Sequence, residues 1–267
     1  MPPRPRSYDP VKVRAALSAE VGSVREALRV MCAAPDAAEL LEAPAAVGPW
    51  TVRQLAERLT GCLETAARLV QGVTVRGRAE VGVLDSVRHL LSVEGSAPAP
   101  AGGHAPGPPD AVLRAFDAAA EKFGVAAAVD TAKVVPAGAG AMTVADLLTV
   151  LVLELVVRGD DLTLATGTAV AHDRQALAVA VRLTADALAA AAPGGSVEVR
   201  IPPFAVIQCV EGPRHTRGTP PNVVEAPPLV WIRLVSGRRS WREALAAGQV
   251  SASGERADLA GLLPLCP

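Results

Sequence analysis

Aromatic residues are scarce in this sequence, because Phe, Trp and Tyr make up only 3% of its 267 residues while half of the residues are hydrophobic. The core must therefore be built from Ala, Val and Leu, and such small side chains allow helices to approach closely. A chain of this length can form two domains of ordinary size, each with its own core.

Lysine is also scarce, and no block of basic residues occurs. Of the 26 basic residues only Lys12, Lys122 and Lys133 are lysines, and the 27 acidic residues nearly balance them, giving a net charge of -1. This balance argues against nucleic acid as a partner. An arginine bias with abundant Ala, Gly and Pro is typical of a GC-rich genome.

Long hydrophobic runs are absent too. The longest, residues 147–157, is too short to span a bilayer and contains Glu154. The start, MPPRPRSYDP, has basic residues without a following apolar segment. The sequence therefore predicts no signal peptide, no membrane span and a cytoplasmic protein.

Metal-ligand and disulfide patterns are missing as well. Neither the cysteines nor the histidines show a CxxC, HxxxH or similar spacing, at Cys32, Cys62, Cys209, Cys266, His89, His104, His172 and His215. We therefore predict free thiols, no disulfide framework and no bound metal.

The first 192 residues have helical patterns. Capping residues mark helix starts at Asp9, Thr51 and Thr143, and Asp110 opens another helix. Two further helices are predicted through residues 83–91 and 176–192, with a flexible Pro/Gly loop at 96–109. Several long antiparallel helices predict a bundle over residues 9–192, preceded by a disordered segment at 1–8.

After Gly195 the pattern changes to short β-rich runs, SVEVRI and FAVIQCV. Two short helices, one around Trp231 and one capped by Ser240, are predicted next, then the strand QVSAS and a closing helix at 257–263. The sequence thus predicts an α+β fold class, with a helical bundle followed by a small α+β domain at 196–267.

Charged residues interrupt the apolar stripe of one helix. Glu154 and Arg158 fall within or beside the arc of its leucines, and Arg58 borders the stripe of an earlier helix. Ionised groups inside a bundle need partners, so the three predict either an internal salt-bridge cluster or, with one excess positive charge, an anion site. Asp160 or Asp161 could also neutralise that charge.

Two segments resemble a known family. PWTVRQLAERLTG at 49–61 and LELVVRGDDLTLATG at 153–167 resemble the motifs of the mycothiol-dependent maleylpyruvate isomerases and their DinB-like relatives. In that family histidines stand at Arg58 and Arg158 and a glutamate at Glu154, and the three bind a divalent metal, usually zinc. Arginine offers no lone pair, so the resemblance implies a degenerate metal site without zinc, with mycothiol as a possible cofactor.

The last 70 residues or so resemble the end of bacterial sterol-carrier-protein domains, through the segment PLVWIRLVSGRRSWREALAAGQVSASGERADLAGLLPL. This second resemblance implies an apolar cavity. Its candidate lining residues are Phe204, Ile207, Trp231, Ile232 and Trp241, although ordinary core packing is the favoured interpretation of each.

The loop EGPRHTRGTPPN concentrates hydrogen-bond donors between prolines. This composition suits an anion or a polar headgroup, although a solvated turn would have the same residues. The candidate binding residues are Arg214, His215, Arg217, Thr219 and Asn222.

These observations favour a metal-free, non-catalytic relative of the isomerases that binds a small acidic or amphipathic ligand. An active mycothiol-dependent isomerase or thiol transferase is one alternative, with Arg158 or the 214–217 loop stabilising an oxyanion. A lipid-carrier or protein-interaction module is another. The expected partner is a small-molecule thiol, carboxylate or lipid-like ligand.

Overall fold

The computed structural model describes residues 6–72, 74–93, 107–126, 129–137, 140–212 and 220–265. The chain divides into two compact units that interleave along the sequence. The larger unit is Tyr8–Ser86 with Val93–Ala176, and the smaller is Met1–Ser7, Val87–Ser92 and Leu177–Pro267. These units do not coincide with the predicted bundle at 9–192 and small domain at 196–267, so that domain division stays a prediction.

Helices dominate the first part of the chain. In order, the elements are α1 (Pro10–Cys32), α2 (Ala37–Glu42), α3 (Val52–Gln71), α4 (Val83–Val93), α5 (Pro109–Ala126), β1 (Val134–Ala137), β2 (Gly140–Thr143), α6 (Val144–Thr166) and α7 (Arg174–Ala191). Helices α1, α5, α3 and α6 pack in a closed ring, each against two neighbours. This ring is the predicted helical bundle.

Three helix starts follow from local hydrogen bonds. The Asp9 carboxylate accepts the Val11 N–H at 2.9 Å and precedes Pro10. Thr51 and Gln54 form a reciprocal capping box, with bonds of 3.0 and 3.3 Å. Thr143 accepts the Asp146 N–H at 3.0 Å and begins α6, so all three predicted starts are confirmed.

Several short elements were not predicted. The helix α2 and the antiparallel hairpin of β1 and β2 lie between the long helices. Each of these strands has four residues. Such short segments carry too few residues for a hydrophobic period to show in the sequence.

The smaller unit contains a four-stranded sheet in the order β4, β3, β5, β6. Its elements are β3 (Val197–Ile201), β4 (Ala205–Cys209), β5 (Val223–Glu225), α8 (Pro228–Val235), α9 (Trp241–Ala246) and β6 (Ser251–Ser253). Strand β3 pairs antiparallel with β4 and parallel with β5, and β5 pairs antiparallel with β6. Alternate residues of β3 are buried, which places one face of the strand on the core.

The predicted closing helix at 257–263 is wrong, because this segment forms turns. Leu262 and Leu263 both donate to the Leu259 carbonyl, at 2.9 and 3.1 Å, and no regular helix follows. Gly261 and Pro264 disfavour further helical residues, and so short a segment cannot recover the cost of helix nucleation.

Two other predictions lie outside the described residues. They are residues 96–106 of the expected flexible loop and residues 1–5 of the expected disordered start. Within the described ranges, no helix combines the length and the hydrophobicity needed to cross a bilayer.

Candidate functional site

The two motif helices, α3 and α6, pack on each other in the larger unit. A cleft of about 310 Å³ opens beside them. Charged residues lie at one end of its lining, at Glu57, Arg58 and Glu154, and leucines lie at the other, at Leu69, Leu147 and Leu151. The remaining lining residues are Gly61, Cys62, Thr65, Ala66 and Val150. Its volume lies at the lower end of the range for small-molecule sites.

Glu154 and Arg158 lie one turn apart on α6 and form an ion pair. The Arg158 Nε donates to Glu154 Oε1 at 3.1 Å. The arginine side chain is only 2% exposed, whereas the glutamate, at 21%, reaches the cleft. The pair thus presents a carboxylate to the cleft with a guanidinium buried behind it.

Arg58 lines the cleft from α3 and lies over the indole ring of Trp50. Its guanidinium carbon is 3.6 Å from the ring centroid, which is a close cation–π contact. Trp50 is itself 7% exposed, just before the capping residue Thr51. The start of α3 therefore orients the Arg58 guanidinium against an aromatic face.

Cys62 is a cleft residue that the sequence analysis did not single out. It lies one turn after Arg58, with its thiol within hydrogen-bonding reach of Glu154. Burial raises the pKa of this thiol well above its ordinary value, and Glu154 raises it further, while Arg158 and Arg58 act in the opposite direction. The spacing of four from Arg58 was the available signal, because it places both residues on one helix face.

The donor set of the cleft does not fit the divalent metal that the resemblance implies. Arg58 and Arg158 stay protonated and have no lone pair for a metal. Among the described residues, no group of three or more His, Cys, Asp or Glu side chains could hold a metal ion. Zn²⁺ would also meet the guanidinium that already binds Glu154.

Asp160 and Asp161 were predicted as possible neutralising groups, and both are buried on α6, at 2% and 4% exposure. Each makes an interaction within the structure. They are therefore two further buried acidic groups on the same helix as Arg158.

Another buried acid, Glu20, was not recognised in the sequence. Its Oε1 lies 2.6 Å from His172 Nδ1, and its Oε2 accepts the Asp173 N–H at 2.9 Å. Both side chains are nearly inaccessible, at 0% and 4% exposure. The pair joins α1 to the segment before α7, so His172 is a buried structural contact in this position.

The predicted anion loop is described only at its end. Arg214, His215, Arg217 and Thr219 lie outside the described residues. Asn222 is 8% exposed, with its Nδ2 donating to the Ser196 carbonyl at 2.8 Å and its Oδ1 accepting the Arg256 N–H at 3.0 Å. Its amide thus connects two segments beside the sheet.

The candidate apolar residues of the smaller unit lie mainly in its core. Four have exposures of 8% or less: Ile207, Trp231, Ile232 and Trp241. Phe204 is half-buried and lines a cleft of about 390 Å³ beside the β3–β4 hairpin. The Trp231 indole N–H donates to Thr184 Oγ1 at 2.9 Å, which ties α8 to α7.

Comparison with known proteins found similarity to a family model and to solved structures. Residues 173–265 match the family model described as "Bacterial SCP ortholog". The chain as a whole shares its fold with crystal structures of the mycothiol-dependent maleylpyruvate isomerase and of a histidine-to-alanine mutant of that enzyme, both with a TM-score of 0.57. No curated protein matches the sequence.

The structural matches extend over 94% of this chain and 95% of each isomerase chain, at 12% identity for the isomerase and 11% for its mutant. At this identity they establish the fold only. They confirm the predicted fold class and the resemblance of the chain to a helical bundle combined with an SCP-like region.

Proposed function

We propose that this protein is a metal-free, non-catalytic relative of the mycothiol-dependent maleylpyruvate isomerases that binds a small acidic or amphipathic ligand in the α3–α6 cleft. The main support is the Arg158 guanidinium, which is buried and bonded to Glu154 at 3.1 Å. A fixed organic cation there leaves the carboxylate unsuited to a metal ion.

A cofactor-free binding role also fits the cleft chemistry. Without a Lewis acid, a bound thiol lacks the charge stabilisation that would ionise it near neutral pH. Mycothiol remains a candidate small-molecule thiol, bound as a ligand. We further propose that the protein acts in the cytoplasm without nucleic acid as a partner.

The test is metal analysis of the purified protein by mass spectrometry, with an Arg58→His, Arg158→His double variant as comparison. We expect no stoichiometric zinc in the wild type and zinc binding in the double variant, since imidazoles supply the missing lone pairs. Adding Glu154→Gln to the double variant is the matched control and should abolish the zinc. Stoichiometric zinc in the wild type, or turnover of maleylpyruvate with mycothiol, would overturn the proposal.

A lipid-carrier role for the smaller unit is the second candidate, favoured by the family match and by the cleft at Phe204. Native mass spectrometry after mild purification tests it. A co-purified lipid that is lost in a Phe204→Asp variant would support this role, and a ligand-free spectrum would contradict it.

A further inference from the structure

The polar end of the α3–α6 cleft is electrically balanced. Glu57, Arg58 and Glu154 line it, and Arg158 lies directly behind Glu154. Two carboxylates therefore stand beside two guanidinium groups. The excess positive charge that the sequence suggested is compensated at the cleft.

Both guanidinium groups are directed at protein groups. Arg158 donates to Glu154, and Arg58 lies 3.6 Å from the centroid of the Trp50 ring. A ligand carboxylate approaching either arginine would also approach the carboxylate of Glu57 or Glu154. The like charges would repel each other in a partly buried site, where screening by water is weaker.

The protein carries its own thiol in this environment. Cys62 borders the cleft beside Glu154, and burial together with Glu154 holds its pKa well above the ordinary value. Its neutral S–H form is therefore favoured over the thiolate. A small-molecule thiol at the same end of the cleft would experience the same two effects.

Resting on the proposed function and narrowing its two ligand classes to one, we propose that the α3–α6 cleft selects uncharged amphipathic molecules over acidic ones and disfavours carboxylates and thiolates. The polar head of such a ligand would lie beside Cys62, Thr65 and Glu154, all of which line the cleft. Its hydrocarbon part would lie along Leu69, Leu147 and Leu151, which also line it.

This selectivity among ligands would explain the proposed absence of catalysis. Thiol addition to an unsaturated acid needs a thiolate nucleophile and a bound carboxylate. The cleft disfavours both species, so a thiol bound there remains protonated and unreactive.

The test compares 1-hexanol, hexanoate and hexylammonium, which share one alkyl chain and differ in head-group charge. Binding to the full-length protein at pH 7 is followed by chemical-shift changes of α3 and α6 amides. We expect hexanol to bind, and each charged analogue to bind about tenfold more weakly, the size of one modest charge repulsion. Hexanoate must approach Glu57 or Glu154, and hexylammonium must approach Arg58, because all three residues line the polar end of the cleft.

Hexanoate or hexylammonium binding as tightly as hexanol would overturn the selectivity and leave the proposed binding function standing. No shift at α3 or α6 with any of the three probes would overturn both. The two failures are therefore distinguishable.

A Glu154→Gln variant sharpens the test, because it removes one carboxylate from the cleft and with it the ion pair to Arg158. Hexanoate affinity should rise by about tenfold, and the Cys62 pKa should fall, measured by thiolate absorbance against a Cys62→Ser background. Glu64→Gln is the control, since Glu64 is exposed on the same helix and does not line the cleft. Glu57→Gln provides a second variant if Glu154→Gln does not fold, and unchanged hexanoate affinity in a folded variant would contradict the proposal.

Discussion

Two buried polar contacts on helices of this protein differ in what surrounds them. Arg158 and Glu154 pair on α6 beside an open cleft, and the glutamate keeps 21% of its side-chain surface exposed. Trp231 and Thr184 pair between α8 and α7, where both residues are 0% exposed. The first contact is accessible to a ligand, whereas the second is sealed and serves only stability.

The largest effect should come from breaking the sealed contact. Trp231→Ala removes a fully buried indole, so we expect the free energy of unfolding to fall by about 3–5 kcal/mol. Urea unfolding followed by circular dichroism measures this loss. Hexanol binding to α3 and α6 should be unchanged in any fraction that stays folded.

Thr184→Val is the matched control for loss of the hydroxyl, which also donates to the Ala180 carbonyl at 2.8 Å. It keeps the volume but leaves the Trp231 N–H unpaired, which should cost about 1–3 kcal/mol. A Trp231→Ala loss no larger than that of Thr184→Val would contradict the view that the indole is a packing element.

A smaller effect is expected at the cleft-side pair. Arg158→Leu leaves the Glu154 carboxylate without its guanidinium, and partial exposure limits the cost to about 2 kcal/mol, below the range for fully buried pairs. The double variant with Glu154→Leu should regain most of this loss, since two apolar side chains can replace an ion pair. A complete double-mutant cycle by urea unfolding tests this.

Near-additive losses in that cycle would indicate that Arg158 and Glu154 act independently. The comparison between the Arg158–Glu154 and Trp231–Thr184 contacts would then no longer hold, because Arg158 and Glu154 would not stabilise the fold as a pair. A coupling energy of about 1–2 kcal/mol is the expected result.

The long helices and the α6 ion pair are local features, which explains why the sequence predicts them. The capping box of Thr51 and Gln54 spans four residues, and Glu154 and Arg158 lie one turn apart. Helical geometry alone converts such spacings into neighbours. The fold class and the start of each motif helix were therefore within reach.

The contacts that define the cleft join residues distant in the chain. The Cys62 thiol lies near Glu154 only because α3 packs on α6, and Glu20 meets His172 across 152 residues of sequence. No local period encodes such a meeting. A single histidine in the sequence therefore gave no signal of its environment, and the spacing of Cys62 from Arg58 indicated a shared helix face but not the nearby Glu154.

The smallest predicted effect on stability concerns the carboxylate of Asp186, which is partly buried and has one oxygen without a hydrogen-bond partner among the described residues. Asp186 on α7 lies 3.5 Å from Arg6, and within the described ranges its Oδ2 is buried without a hydrogen-bond partner. Burial raises the pKa of this carboxyl above its ordinary value of 3.8, and Arg6 opposes the shift. The folded state thus favours the protonated form.

Because the pKa of this acid is raised, its own contribution to stability is fully present below pH 3.8 and is lost as the pH rises through the folded-state pKa. Asp186→Asn removes this decline, so between pH 4 and pH 7 the variant should lose less stability than the wild type does. Melting temperatures of both proteins at the two pH values measure the difference. A melting temperature that falls more for the variant than for the wild type between pH 4 and pH 7 would contradict this prediction. It would show that the Arg6 contact outweighs burial, so that the Asp186 carboxylate stabilises the fold as the Trp231–Thr184 hydrogen bond does.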